Sequence, residues 1–509
     1  MVLATIASAS LTGIRGHAVT VEVHAGPGLP GFTVVGLPDT ACREARDRVR
    51  AAILSSGAKW PNLKVTVNLA PSGIPKTGAG LDLAIAIGIL VATGQLEAAD
   101  VAGVAFVAEL GLDGTVRPVV GALPLVAAAA AKAAVISPAN HAEAALVPEV
   151  MVLCARDLEE VIDCLRGDNS WQEPPPLPTT PPATIGADLA DVQGQPLARR
   201  AIEIAAAGGH HVLLIGPPGA GKTMVAKTMP GLLPRLSGDD ALEVTTVHSA
   251  AGITLPPGGL VRTPPFRAPH HTSSTVALVG GGTRQMRPGE ISCAHGGVLF
   301  LDELGEFPTM VLDALRQPLE EGTVRVARAY GSAAYPARFV LVGATNPCPC
   351  GEATATDRDC RCSPVARARY ARRLSGPLLD RFDLRVHVQR PGSAALFAPE
   401  RGESSASVAV RVAQAREIAR SRGVHANVAL DTASLEMAAP LDAESVALLS
   451  RAVDDGRLSA RGVHRVRCVA RTIADLDGIE GPLRARDVAA ALALRAEVFT
   501  EAASLGEAS

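Results

Sequence analysis

The chain has 509 residues, of which 48% are hydrophobic, with a net charge of −3 and nine cysteines. That length exceeds one ordinary core and points to about three domains, while the balanced charge excludes a uniformly basic nucleic-acid binder and requires any such surface to be local. No apolar run is long enough to span a membrane, Met1-Val2-Leu3-Ala4-Thr5-Ile6 lacks the layout of a secretory signal, and nine cysteines fit no even disulfide framework. The expectation is a cytoplasmic protein with no membrane segment.

In chain order, strand-like runs at Val19–Val23, Lys64–Asn68, Val104–Val107, Ala134–Ser137 and Met151–Leu153 alternate with helical stretches at Ala41–Ser55, Leu81–Val91 and Leu123–Lys132. This predicts an α/β domain over residues 1–166. The Ala-rich run Ala127–Ala134 reads as a buried helix. Residues 167–185 contain Glu173-Pro174-Pro175-Pro176-Leu177-Pro178-Thr179-Thr180-Pro181-Pro182 and predict an extended Pro-rich linker.

The next region, 186–391, opens on the apolar run Val212-Leu213-Leu214-Ile215, which leads into Gly216-Pro217-Pro218-Gly219-Ala220-Gly221-Lys222-Thr223 and a helix from Met224. Strand, glycine-rich loop and helix in that order form a site for ATP and Mg²⁺. Backbone N–H groups and the positive helix end face the phosphates, Lys222 reaches the β- and γ-phosphates, and the Thr223 hydroxyl holds the metal. Val298-Leu299-Phe300-Leu301 ends in Asp302-Glu303, the Walker B pattern, with Asp302 for Mg²⁺ and Glu303 to deprotonate the attacking water. The plainer alternative is that both acids cap the next helix.

Phe339 to Thr345 reads as another buried strand ending in Asn346, which can position the lytic water or simply open the turn before Pro347. In Gly376-Pro377-Leu378-Leu379-Asp380-Arg381-Phe382-Asp383-Leu384 a helix ends in Arg381 between apolar anchors. In ring ATPases such an arginine reaches the neighbour's γ-phosphate; a surface ion pair with Asp383 is the alternative. Cys348-Pro349-Cys350 and Cys360-Arg361-Cys362 offer four soft ligands for a structural Zn²⁺, although the spacing departs from C-x₂-C and four free thiols are the alternative. Cys42, Cys154, Cys164, Cys293 and Cys468 read as buried fillers. Residues 392–509 show helical periodicity at Val408–Arg420, Ala443–Asp454, Ala460–Asp475 and Ala485–Glu497, which predicts a helical lid.

These ATPase segments resemble the magnesium-chelatase-related branch of the AAA+ ATPases, and the whole chain resembles the ComM/YifB family of competence proteins. The resemblance rests on Gly28 to Asp39, Val67 to Pro71, the Gly216–Thr223 loop, Ala268-Pro269-His270-His271-Thr272-Ser273, Leu301 to Leu304, Asn346 to Gly351 and Val469 to Leu476. It implies a homohexameric DNA motor that drives branch migration, acting on single-stranded or branched DNA, and a sensor 2 role for Arg461. Arg465 and Arg467, on the same helix, compete for that role. A metal-chelatase motor that remodels a partner protein is the alternative, and a protein-remodelling ATPase with Phe266 in its pore is a third.

The first domain resembles the α/β fold of the Lon-type proteolytic domain. In Lys76-Thr77-Gly78-Ala79-Gly80, however, Gly80 stands where the serine nucleophile is needed, and Gly121-Ala122-Leu123-Pro124 offers no base. A non-proteolytic domain is expected. DNA contacts are expected from Arg262, Arg267, His270, His271, Arg284 and Arg287 in the insertion Leu255–Glu290. Others are expected from Arg325 and Arg328 in a β-hairpin, and from the Arg367–Arg373 cluster with Tyr370 as a stacking aromatic.

Overall fold

The computed structural model describes residues 3–173, 176, 186–282, 286–328, 331–353, 360–374, 376–396 and 401–495. The expected linker lies mostly outside these residues. The N-terminal part is built on β1 (Leu3–Thr12), which pairs antiparallel with β2 (Arg15–Gly26) in one register from Leu3 opposite His24 to Thr12 opposite Arg15. With β3 (Gly31–Val35), β4 (Lys64–Ala70), β5 (Val104–Val107), β6 (Ala133–Ile136) and β7 (Met151–Cys154) they form a seven-stranded sheet in the order β3-β4-β2-β1-β5-β6-β7. The helix Asp82–Ala92 lies wholly buried beside this sheet. Leu83, Ile85, Ile87, Ile89 and Leu90 are fully enclosed, each contributing on the order of 2 kcal/mol relative to exposure.

The expected alanine helix does not form as read. Its helix ends at Ala128, Ala130 takes φ 50°, and the chain re-enters the sheet at Ala133. The N–H groups of Lys132 and Ala133 donate to the Gly103 carbonyl, and Ala133 pairs with Val104. Pairing with β5 on one side and β7 on the other outweighs the helix preference of alanine, which amounts to less than ~1 kcal/mol per residue.

The second sheet is all parallel: β8 (Val212–Ile215), β9 (Phe266–Arg267), β10 (Val298–Leu301), β13 (Val340–Thr345) and β14 (Leu384–His387) stand in the order β9-β10-β13-β8-β14. Between β10 and β13 the chain makes the hairpin β11 (Thr323–Arg328) and β12 (Gly331–Pro336). The inner strands β8, β10 and β13 are buried at every position and are therefore almost wholly apolar, whereas the outer strands β9 and β14 carry Arg267, Arg385 and His387. Val212 and Leu214 join Val408, Val412, Val466 and Val469 of the C-terminal helices, whereas Leu213 and Ile215 join Leu301, Leu341, Phe382 and the hairpin residues Val324, Val326 and Tyr335.

The expected C-terminal helices form at Ser405–Ser421, Ala443–Asp454, Ala460–Leu476 and Ala485–Ala493, the last shorter than expected because it closes at its C-cap Leu494 before Arg495 pairs with Arg385. Arg416 is buried and donates Nε (2.9 Å) and a terminal nitrogen (2.7 Å) to the Ala206 carbonyl, satisfying the end of the helix Pro196–Gly208. The N-terminal part docks on the nucleotide-binding part through the helices Ala122–Ala128 and Gly238–Ala251. There the Ser249 hydroxyl donates to Glu143 at 2.5 Å, and Asn140 donates to the other carboxylate oxygen at 2.7 Å. Among the described residues, no helix is long and apolar enough to cross a membrane.

Candidate nucleotide-binding site

The three strand ends of β8, β10 and β13 converge because the ladders put Ile215 opposite Thr345 and Leu301 opposite Gly343. The next residues along these strands are Gly216, Asp302 and Asn346, at the carboxyl edge where open α/β sheets bind nucleotides. Gly219 and Gly221 take φ 77° and 87°, and nothing lies within 4 Å of where a Cβ would stand on either. The loop is therefore an open cradle that a side chain would strain and partly fill. The helix Lys222–Leu232 starts at its end.

Lys222 Nζ donates to the carbonyls of Gly216 (2.7 Å) and Pro217 (3.0 Å) and to Asn346 Oδ1 (3.1 Å). The Thr223 hydroxyl donates to Asp302 Oδ2 at 2.7 Å. Hydroxyl and carboxylate thus stand together as one hard oxygen donor set, which fits Mg²⁺. Burial pulls Lys222 down to about 8, against the attraction of Asp302 and Glu303. A bound diphosphate favours the charged amine and raises this pKa, so binding takes up a proton once the free amine is neutral. The affinity for ADP is expected to be about tenfold weaker at pH 9 than at pH 7 in titration calorimetry. Equal affinity at the two pH values would remove Lys222 from the phosphate site.

Glu303 leaves the strand in a left-handed conformation, φ 52° and ψ 48°, with its side chain 55% exposed. His271 Nδ1 lies 3.1 Å from Glu303 Oε2. His271 was expected to face DNA; the fold instead places it on the Walker B carboxylate, a pairing for which no sequence pattern gave a signal. Arg267 differs from expectation too, because both ends of its guanidinium donate to Glu290, at 2.6 and 2.7 Å, and its charge is compensated. Arg262, His270 and Arg287 are exposed, and Arg325 is 72% exposed. Arg284 and the Arg328 side chain lie outside the described residues.

Two aromatics are withdrawn from ligand contact. Tyr370 is buried, with its hydroxyl 3.4 Å from Thr345 Oγ1, so it is a packing residue rather than a base-stacking one. Its neighbour Arg373 donates to Glu306 at 2.7 Å. Phe266 stacks on Phe300 with centroids 5.9 Å apart, which removes it as a pore aromatic.

Arg381 is buried and donates to the carboxylate of Glu320, which also receives Arg461 at 2.9 Å. Asp383, the simpler partner for Arg381, is taken by Arg465 at 2.5 Å. Burial works against ionisation of Asp383, but His210 and Arg465 outweigh it and hold the carboxylate low. Arg467 pairs with Glu436 at 2.5 Å and the Ala439 carbonyl at 3.0 Å. Of the three candidates Arg461, Arg465 and Arg467, Arg461 is the one exposed beside Arg381, and Glu320, which joins them, has no signature in the sequence.

Cys348, Cys350, Cys360 and Cys362 place their sulfurs within 4.8 Å of one another. Three separations are 3.4, 3.7 and 3.7 Å, against about 3.8 Å between thiolates around tetrahedral zinc. The other five cysteines are buried, as expected. In the N-terminal part, the Lys76 amine is buried and donates to the Pro71 carbonyl, Gly80 faces Val119, and Ser72 is exposed, so neither position weighed for a serine nucleophile supplies one beside a base.

The parallel sheet, the phosphate loop and the paired acids define a magnesium-chelatase-like AAA+ protein of the P-loop class. The family described as magnesium chelatase, subunit ChlI, matches residues 188–396, its C-terminal family matches 402–495, and subunit ChlI of Mg-chelatase matches 21–141. The chain is 46% identical to an uncharacterised protein of Mycobacterium tuberculosis, over 97% of this chain and 99% of that one. It is 44% identical to competence protein ComM of Haemophilus influenzae, over 98% of each chain, and 43% identical to the uncharacterised protein YifB of Escherichia coli, over 94% of each. The chain belongs to the ComM/YifB family.

Proposed function

We propose that the chain is a cytoplasmic ATP-driven DNA motor, a homohexameric ring that couples hydrolysis to translocation and branch migration of single-stranded or branched DNA. The observation that carries this reading is Arg381, whose side chain bonds Glu320 and the Pro377 carbonyl rather than any residue of its own phosphate loop. An arginine so held takes no part in its own subunit's phosphate site, and exchanging Glu320 for a neighbour's γ-phosphate would give it that role. The similarity to a competence protein over nearly the whole chain supports DNA as the substrate, with Arg262, Arg287 and Arg325 as the cations for its phosphates and His270 as a further polar contact. The four thiols hold a structural Zn²⁺, and the N-terminal domain serves assembly or DNA binding without proteolysis.

ATP hydrolysis measured with and without single-stranded, duplex and forked DNA tests this reading. DNA is expected to stimulate turnover, and its affinity to fall about 10³-fold or more between 50 and 200 mM salt if six or more phosphates are contacted. Rates indifferent to every DNA would reject it and favour a chelatase-type motor acting on a partner protein, the reading that the ChlI family matches support.

A further inference from the structure

Cys348, the first of the four cysteines, stands two residues beyond Asn346, and the turn that follows it approaches the phosphate loop at Pro218. Cys350 N–H donates to Cys362 Sγ at 3.4 Å, and Gly351 N–H to the Cys348 carbonyl at 2.9 Å, an arrangement that turns the backbone tightly around the sulfurs. At the turn Gly351 takes φ 82°, and a Cβ there would lie 2.4 Å from Cδ of Pro218. The thiol turn is therefore packed directly on the phosphate loop. A second link lies beside it. Glu352 receives both terminal nitrogens of Arg390, at 2.7 and 3.1 Å, and Arg390 Nε donates to the Pro218 carbonyl at 3.2 Å. Glu352 and Arg390 are 14% and 24% exposed, so the pair is shielded enough to hold its geometry.

We infer that a four-thiolate zinc centre is a working part of the ATP site, holding Pro217-Pro218-Gly219 in its phosphate-binding shape through Gly351 and the Glu352–Arg390 pair. The inference rests on the proposal that these thiols bind zinc, and adds what the zinc does. The physical reason is preorganisation. The loop's N–H groups bind phosphate only when they converge, and a loop with two open-space glycines needs an outside brace to stay converged. Removing zinc frees the turn, the brace and then the loop.

The test uses the full chain purified without chelator. Metal analysis is expected to find one zinc per chain. Chelation of that zinc is expected to raise the Kd for a fluorescent ADP about tenfold, and returning zinc to restore it. Glu352→Gln is expected to keep the zinc and the unfolding temperature, yet raise KM for ATP about tenfold with kcat at saturation retained. Zinc present but ADP affinity unchanged on its removal overturns the inference and leaves zinc binding intact; absence of zinc overturns both. Should chelation unfold the chain, an unchanged KM in Glu352→Gln overturns the inference.

Discussion

Glu303→Gln is expected to bind ATP as the parent chain does and to hydrolyse it about 10²–10⁴ times more slowly, the range for loss of a general base. The carboxylate stands just past β10, beside Asp302, whose other role is to pair with Thr223 across the metal position. Its left-handed backbone is a non-glycine conformation that costs on the order of 1–3 kcal/mol and persists where the surrounding fold over-determines it. The result is a partly exposed carboxylate turned away from the strand and toward His271, with Asp302 already committed to Thr223. Glutamine keeps the shape, the backbone and a bond to His271, and removes only the proton acceptor. Single-turnover measurements with radiolabelled ATP separate binding from cleavage. Turnover within twofold of the parent chain would refute the assignment of Glu303 as base.

Arg381→Ala is expected to assemble and bind ATP while losing about 10³-fold in hydrolysis, the lower end of the effect of an arginine finger. The side chain is 6% exposed, and its Nε has no hydrogen-bond partner among the described residues. A buried guanidinium nitrogen without a partner costs on the order of 1–3 kcal/mol, a cost that a neighbouring subunit's nucleotide can relieve. Until then Glu320 is shared by Arg381 and Arg461, which leaves the group with one uncompensated positive charge, and burial holds the Arg381 pKa down. Mixing Arg381→Ala with Lys222→Ala decides whether the arginine works across subunits. Each variant supplies what the other lacks, so hydrolysis is expected to reappear in the mixture, and a misfolded Arg381→Ala could not produce that rescue. A mixture as inactive as its components would confine Arg381 to its own subunit or to the fold.

The phosphate loop was legible because its signal is local. Val212 to Thr223 carries strand, glycines and helix start in one uninterrupted stretch, and the structure puts Gly216, Lys222 and Thr223 at a strand end as that stretch demands. The C-terminal helices were legible for a similar reason, since side chains three and four apart share a face. The first strand was not, because Leu3–Thr12 is rich in Ala, Ser and Thr and becomes a strand by pairing along its whole length with Arg15–Gly26.

Partner choice is where the sequence stopped. Arg267, His271, Tyr370 and Phe266 all lie in stretches whose composition suits DNA or a pore, yet their neighbours are Glu290, Glu303, Thr345 and Phe300. Glu320 joins Arg381, 61 residues away, to Arg461, 141 residues away. By itself the sequence determined which chemistry the chain carries, since backbone conformation and donor type follow from neighbours within a few residues. Only the tertiary structure decided which charges are free, because an ion pair or a stacked ring depends on segments that the chain brings together by folding.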